Sequence, residues 1–163
     1  MASTDVTTLQ KTIEATLREF LLGYQTAKEH NDPSFISKAL APECIRYIAP
    51  VSFLTAMGAP TDFTFDVKSY QAQFAKELPV QGVNKTEIND IIIDAVGRKA
   101  SASTVFHGKY SSGEKLKLEF AWFLDFNEDG TKVTRILEWL DTTEALKFQA
   151  KCNALIDELE AKQ

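Results

Sequence analysis

Four β-rich runs fill the second half of this chain, at about residues 83–95, 99–110, 115–126 and 132–140. Only turn-forming punctuation of hairpin length divides them: Gly97, then Ser111-Ser112-Gly113, then Asn127-Glu128-Asp129-Gly130. The runs therefore read as consecutive antiparallel strands. Along the third, Leu116, Leu118, Phe120, Trp122, Leu124 and Phe126 alternate onto one face, while Ala121 and Phe123 join Leu137 and Trp139 on the other. A sheet that is apolar on both faces has to be covered on both. The second face is expected to meet another subunit, the C-terminal helix, or both.

Helices precede and follow this meander. Leu9, Ile13, Leu17, Phe20, Tyr24 and Ala27 recur at helical spacing and predict a helix over about 8–30, with Thr7 and Gln10 as a capping box. Asp32-Pro33 reads as N-cap and first position of a second, short helix ending near Leu40, because Pro33 lacks the N–H that a first turn leaves unpaired. Ala41-Pro42 stops it, a short strand follows over 44–49, and residues 50–65, with Pro50, Gly58 and Pro60, read as a long loop or broken hairpin. Asp66 caps a third helix whose Val67, Tyr70, Phe74 and Leu78 share one face until Pro79 ends it. The last helix is predicted over 142–161, with Asp141 and Glu144 as a capping box and Phe148, Cys152, Leu155 and Leu159 on one stripe. Helices first and a meander later make an α+β layer structure.

A length of 163 residues suits a single domain, 1–163, with one core. The apolar fraction of 44% beside 25% charged residues is ordinary for a globular protein, and no apolar run approaches a bilayer span, so no membrane partner is expected. Met1-Ala2-Ser3-Thr4-Asp5 lacks the basic and apolar segments of a secretory signal, which makes the cytoplasm the expected location. Cys44 and Cys152 are too few and too far apart for a disulfide framework or a metal knuckle and read as small core residues. A net charge of -5 with scattered Lys and Arg offers no basic stripe, so nucleic acid is not an expected partner.

The closing residues 125–141, from Asp125-Phe126-Asn127-Glu128-Asp129-Gly130 through Ile136-Leu137-Glu138-Trp139-Leu140-Asp141, resemble the last hairpin of SnoaL-like members of the NTF2-like superfamily. Ala41-Pro42-Glu43-Cys44-Ile45-Arg46 and Pro50-Val51-Ser52-Phe53 resemble its fungal branch, and the likeness covers about residues 8–148. The resemblance implies a cone: a curved antiparallel sheet with N-terminal helices enclosing a pocket, a C-terminal helix, and commonly a homodimer built through the convex face. Fungal relatives often serve secondary metabolism as cofactor-free cyclases or isomerases of polyketides, meroterpenoids and indole alkaloids, semipinacol-type rearrangements included. The superfamily also holds dehydratases, epoxide hydrolases and proteins without chemistry, so the likeness speaks to fold more than to reaction.

Glu138 is the first candidate for chemistry. Alternation places it with Thr134, Ile136 and Leu140 on one face of the last strand, and in the resembled epoxide hydrolases the acid at this position faces the pocket. Among Phe120, Trp122 and Ile136 its carboxylate would be partly desolvated and suited to proton transfer; the alternative is a structural Glu paired with Arg or Lys. Arg46 stands where many fungal relatives carry a His, and it can hold a substrate oxygen or pair with Glu138, or simply form a structural ion pair. Tyr24, on the inner stripe of the first helix, is a candidate oxygen ligand or a core tyrosine. His107 is placed on the inner parity with Ser103 and Val105 as a proton shuttle or a rim histidine, and His30 as a solvated helix-end residue. Phe53, Tyr70, Phe120, Trp122 and Ile136 are the expected substrate-binding wall.

No metal-ligand spacing and no phosphate loop is present in the sequence, which leaves cofactor-independent acid/base chemistry as the expectation. The sequence thus reads as an isomerase or cyclase acting on a hydrophobic secondary metabolite, with Glu138 and Arg46 as the polar pair. A non-catalytic small-molecule-binding module, and a dehydratase or epoxide hydrolase on the same fold, are the alternatives.

Overall fold

The computed structural model describes residues 3–163; Met1 and Ala2 of the opening segment read above lie outside the described residues. Helix α1 (Ser3–His30) begins upstream of Thr7, so that residue lies within the helix and is not its cap. Its apolar stripe is fully used: Ile13, Leu17, Phe20, Leu21, Tyr24 and Ala27 are all buried. A short 3-10 helix (Pro33–Ser37) follows, with the Asp32 carboxylate accepting the Ser34 N–H at 2.8 Å. It stops before Leu40, because Ala39 already accepts an N–H from Val133 and Leu40 opens strand β1 (Leu40–Ala49). Pro42 is tolerated inside β1 because the register slips between Leu40 and Ile45, where a missing N–H breaks no ladder bond.

Of the two expectations for residues 50–65, a long loop or a broken hairpin, the structure has the second, a hairpin interrupted by a helix. These residues form helix α2 (Val51–Ala56), entered from Pro50, and the edge strand β2 (Thr64–Asp66), which pairs antiparallel with β1. Helix α3 (Val67–Glu77) starts on Asp66, whose carboxylate accepts the Ser69 N–H at 2.7 Å. Strands β3 (Gln81–Asp94), β4 (Lys99–Tyr110), β5 (Lys115–Phe126) and β6 (Val133–Leu140) form the meander, and α4 (Thr142–Ala161) closes the chain from its Asp141 cap.

Among the described residues the sheet has six strands in the order β2-β1-β6-β5-β4-β3, antiparallel except for the β1–β6 pair. Register slips in β3, between Val83 and Lys85 and between Asn89 and Ile92, add residues to one side of the ladder, the usual means of bending a sheet. The concave face then wraps α1, and Phe20 meets the Trp122 ring edge-to-face at 5.2 Å. The Thr16 hydroxyl donates to the Gly130 carbonyl at 2.7 Å and ties α1 to the β5–β6 turn. Cys44 and Cys152 are free thiols buried in the core.

Helix α4 does not cover the convex face. It packs on the concave side, where Cys152 and Leu155 meet Val80, and it leaves Phe123 and Trp139 each 45% exposed. Among the described residues no helix is long and apolar enough to cross a membrane.

The tightest approach in the sheet is at Gly108 of β4, where a Cβ would lie 1.9 Å from the Gly82 carbonyl oxygen. That contact is backbone against backbone and has no flexible side chain to yield. Gly108→Ala should therefore destabilise the fold by about 3 kcal/mol, a fall in melting temperature of roughly 6–12 °C for a chain of this size. A variant melting with the parent would show that the β3–β4 bulge relaxes freely.

Candidate functional site

Where α1 fills one end of the cone, α2, α3 and α4 stand away from the other and leave a cavity of about 390 Å³. Phe53 and Leu54 of α2, Phe65 of β2, and Tyr70 and Phe74 of α3 form one side. Leu118 and Phe120 of β5 with Leu140 of β6 form the floor, and Phe148 of α4 closes the rim. The lining is apolar apart from a few aimed polar groups, the usual constitution of a small-molecule site.

One of those groups is Glu138. The parallel β1–β6 register sets Ile48 beside Glu138 and Arg46 beside Ile136, so the two charged side chains meet on the concave face. Arg46 is 2% exposed and Glu138 5%. Arg46 Nη1 donates to Glu138 Oε1 at 3.3 Å and to the Tyr24 hydroxyl at 3.0 Å, and the Tyr24 and Tyr70 hydroxyls lie 3.3 Å apart. The guanidinium also stacks 3.6 Å from the Tyr70 ring centroid, which separates it from the cavity. Its Nη2 has no hydrogen-bond partner among the described residues.

The electrostatics follow from this geometry. A single contact at 3.3 Å is long for a charge-assisted bond and is not a bidentate fork. Burial accordingly outweighs Arg46, and the Glu138 carboxyl is pushed above its ordinary range, with Glu77 pushing the same way. Burial likewise raises the Tyr24 and Tyr70 hydroxyls, which stay protonated. Arg46 is desolvated too, but Tyr24, Tyr70 and Glu138 keep it charged.

The residues singled out in the sequence do not all arrive at one place. Glu138, Phe53, Tyr70 and Phe120 line the cavity. Arg46 and Tyr24 stand directly behind its wall, and Trp122 and Ile136, 0% and 1% exposed, are core residues beneath it. His107 is corrected outright. In β4 the buried parity is Ala100, Ala102, Thr104, Phe106 and Gly108, so His107 faces outward with Ser103 and Val105, 3.4 Å from Glu87. Ala102 and Thr104 are small where the Trp122 indole packs, Thr104 accepting the indole N–H at 2.8 Å, and Phe106 fills the next inner position beside His107.

Sequence reasoning missed Glu77, Gln73, Gln149 and Asn153, all of which reach the cavity. The signal for Glu77 was present: it lies three residues past Phe74 and seven past Tyr70, a carboxylate on an apolar stripe. Its Oε1 accepts from Gln73 Nε2 at 3.0 Å and Gln149 Nε2 at 3.3 Å, and burial pushes its carboxyl upward against those two bonds. Among the described residues no three His, Cys, Asp or Glu side chains converge as a metal ion requires.

No family model and no curated protein sequence matches this chain. Solved structures do. The BvnE pinacolase from Penicillium brevicompactum superposes with a TM-score of 0.71 at 18% identity, over 90% of this chain and 94% of that one. AusH from Aspergillus nidulans gives 0.64 at 18% identity, over 81% and 85%. An NTF2-like protein of unknown function from Burkholderia pseudomallei gives 0.58 at 16% identity, over 83% and 95%. At such identities the likeness is one of architecture, and the architecture is the cone that the closing hairpin implied: this chain has the NTF2-like fold.

Proposed function

We propose that this protein is a cofactor-independent isomerase or cyclase of a hydrophobic small molecule, with Glu138 as the group that takes up and returns a proton. The observation that carries this reading is a carboxylate, 5% exposed, at an apolar cavity of about 390 Å³ with its pKa raised by burial. A carboxyl whose proton affinity is raised by burial is better suited to take up and return a proton. Arg46 has no proton to give in this range; its role is to keep a negative Glu138 tolerable and to fix its orientation.

The hydroxyls supply a second element. Arg46 only donates, so Tyr24 receives its N–H and has its own hydrogen to give to the Tyr70 oxygen. Either hydroxyl can be the donor in that pair; where Tyr24 donates, the Tyr70 hydrogen is left for a substrate oxygen. Glu138 then removes a proton from one substrate atom and delivers it to another, while Tyr70 steadies the oxygen on which charge develops. No atom is gained or lost overall. The likeness to a pinacolase in fold supports this class without fixing the substrate.

We also propose a homodimer through the convex face. Phe123 pairs with Leu137 and Ala121 with Trp139 across β5 and β6, and Phe123 and Trp139 stay exposed side by side. A second copy of that face would bury the patch.

Three outcomes test these readings. Product analysis by chromatography and mass spectrometry should show a new species of unchanged mass. Gain or loss of water would instead point to an epoxide hydrolase or dehydratase, and unchanged ligand to a binding protein. Glu138→Gln should lower kcat by roughly a hundredfold or more with KM little changed, and Tyr70→Phe, which keeps the ring over Arg46, by about tenfold. Full activity in a folded Glu138→Gln enzyme removes the acid/base assignment. Light scattering should give twice the chain mass, and Trp139→Glu should return a monomer; a monomeric parent protein would end the dimer proposal.

A further inference from the structure

The acid/base reading uses one of the two carboxylates in the cavity. The other, Glu77, ends α3 and is 8% exposed. Gln73 and Gln149 both donate to its Oε1, and Gln149 also donates to Asn153 Oδ1 at 3.3 Å. These four side chains form a polar belt joining α3 to α4 in a wall that is otherwise apolar. Glu77 lines the cavity, and its Oε2 makes no hydrogen bond among the described residues and is not one of the sealed, unpartnered atoms, which leaves it accessible. The two glutamines spend amide nitrogens on Glu77 and keep their carbonyl oxygens. The belt therefore offers acceptors in excess of donors.

Charge points the same way. Among the described residues the cavity is lined by two carboxylates and by no Lys, Arg or His. Arg46 is shielded by Tyr70 and already bonded to Glu138. An anionic ligand would give up its hydration to face Glu77 in a medium of low dielectric. An N–H group gains a charge-assisted bond at the same place.

Resting on the reading that this cavity holds the substrate, we propose that the belt of Gln73, Glu77, Gln149 and Asn153 is a recognition site for an N–H group. The substrate class is then a hydrophobic molecule carrying an amide N–H or an amine at a point other than the one Glu138 works on. Carboxylic acids and phosphate esters are rejected. Glu77 acts in specificity, and Glu138 in proton transfer.

Three probes sharing one naphthalene ring test this by calorimetry at neutral pH: naphthylacetamide, naphthylmethylamine and naphthylacetate. The amide and the amine should bind at least about tenfold more tightly than the acetate. Glu77→Gln should abolish the advantage of the amine. Asn153→Lys, at an exposed position of the belt where folding is not at risk, should shift the order toward the acetate. Equal binding of all three, or an order unchanged in both variants, overturns the recognition site and leaves the Glu138 reading standing. Correct sorting of the probes beside a fully active Glu138→Gln enzyme does the reverse. Absence of any probe binding defeats the recognition site together with the small-molecule reading of the cavity.

Discussion

Arg46 holds a full positive charge where only 2% of the residue meets solvent, and the site is arranged around keeping it there. Desolvating an ion costs several kcal/mol, on the order of what a marginally stable domain has to spare. Glu138, the Tyr24 hydroxyl and the Tyr70 face offset that penalty, each from a different element: β6, α1 and α3. The single guanidinium thereby fixes how the first helix, the pocket helix and the parallel β1–β6 pair sit relative to one another. A lysine would keep the charge but could not stack on Tyr70 with a planar face while reaching two oxygens. Removing either charge would strand the other in the interior.

The same arrangement separates two tasks that a histidine at position 46 would have merged. A histidine titrates near neutrality and would compete with Glu138 for the proton. Arginine stays charged throughout, so under the proposed acid/base reading the proton is left to the carboxyl. Tyr70 is the boundary between the two: its ring covers the cation, the residue lines the cavity, and its hydroxyl meets that of Tyr24. Curvature makes this possible. A flat sheet would expose the concave face, whereas the bulges in β3 fold it round α1 and leave room where α2, α3 and α4 stand off.

What could be read from the sequence follows from how local each signal is. β4, β5 and α4 are bounded by turn residues and an aspartate cap, which are nearest-neighbour effects, and their limits agree with those read from residues 99–110, 115–126 and 142–161. Pro and Gly in 50–65 mark breaks but do not say that Phe53 and Leu54 between them will find an apolar wall, and α2 forms because they do. His107 is expected on the inner parity with Ser103 and Val105, whereas the buried parity is that of Ala102, Thr104 and Phe106. Packing against Trp122 is a long-range property that local spacing does not carry. Glu138 was legible because strand parity reaches it from Ile136. Glu77 carries a sequence signal, an acid on the apolar stripe of Tyr70 and Phe74, but its partner Gln149 comes from a distant helix that spacing alone does not bring to it.

The two buried carboxyls also set the site against the rest of the fold in their response to pH. Both have folded-state pKa values above their ordinary range, chiefly from burial. The unfolded chain then releases those protons first as pH rises, so their contribution to stability is full in acid and is lost as pH climbs through the folded values. The cap and turn carboxylates Asp32, Asp66 and Asp129 are shifted down by hydrogen bonds from Ser34, Ser69 and Thr131. Their contribution is present above the unfolded pKa and is lost as pH falls through the folded one. As pH rises the caps therefore reach full strength while the cavity carboxyls are driven toward the state of charge that burial disfavours. Burial in an apolar wall raises the proton affinity of such a carboxyl, and that is the property on which the proposed acid/base role of Glu138 draws.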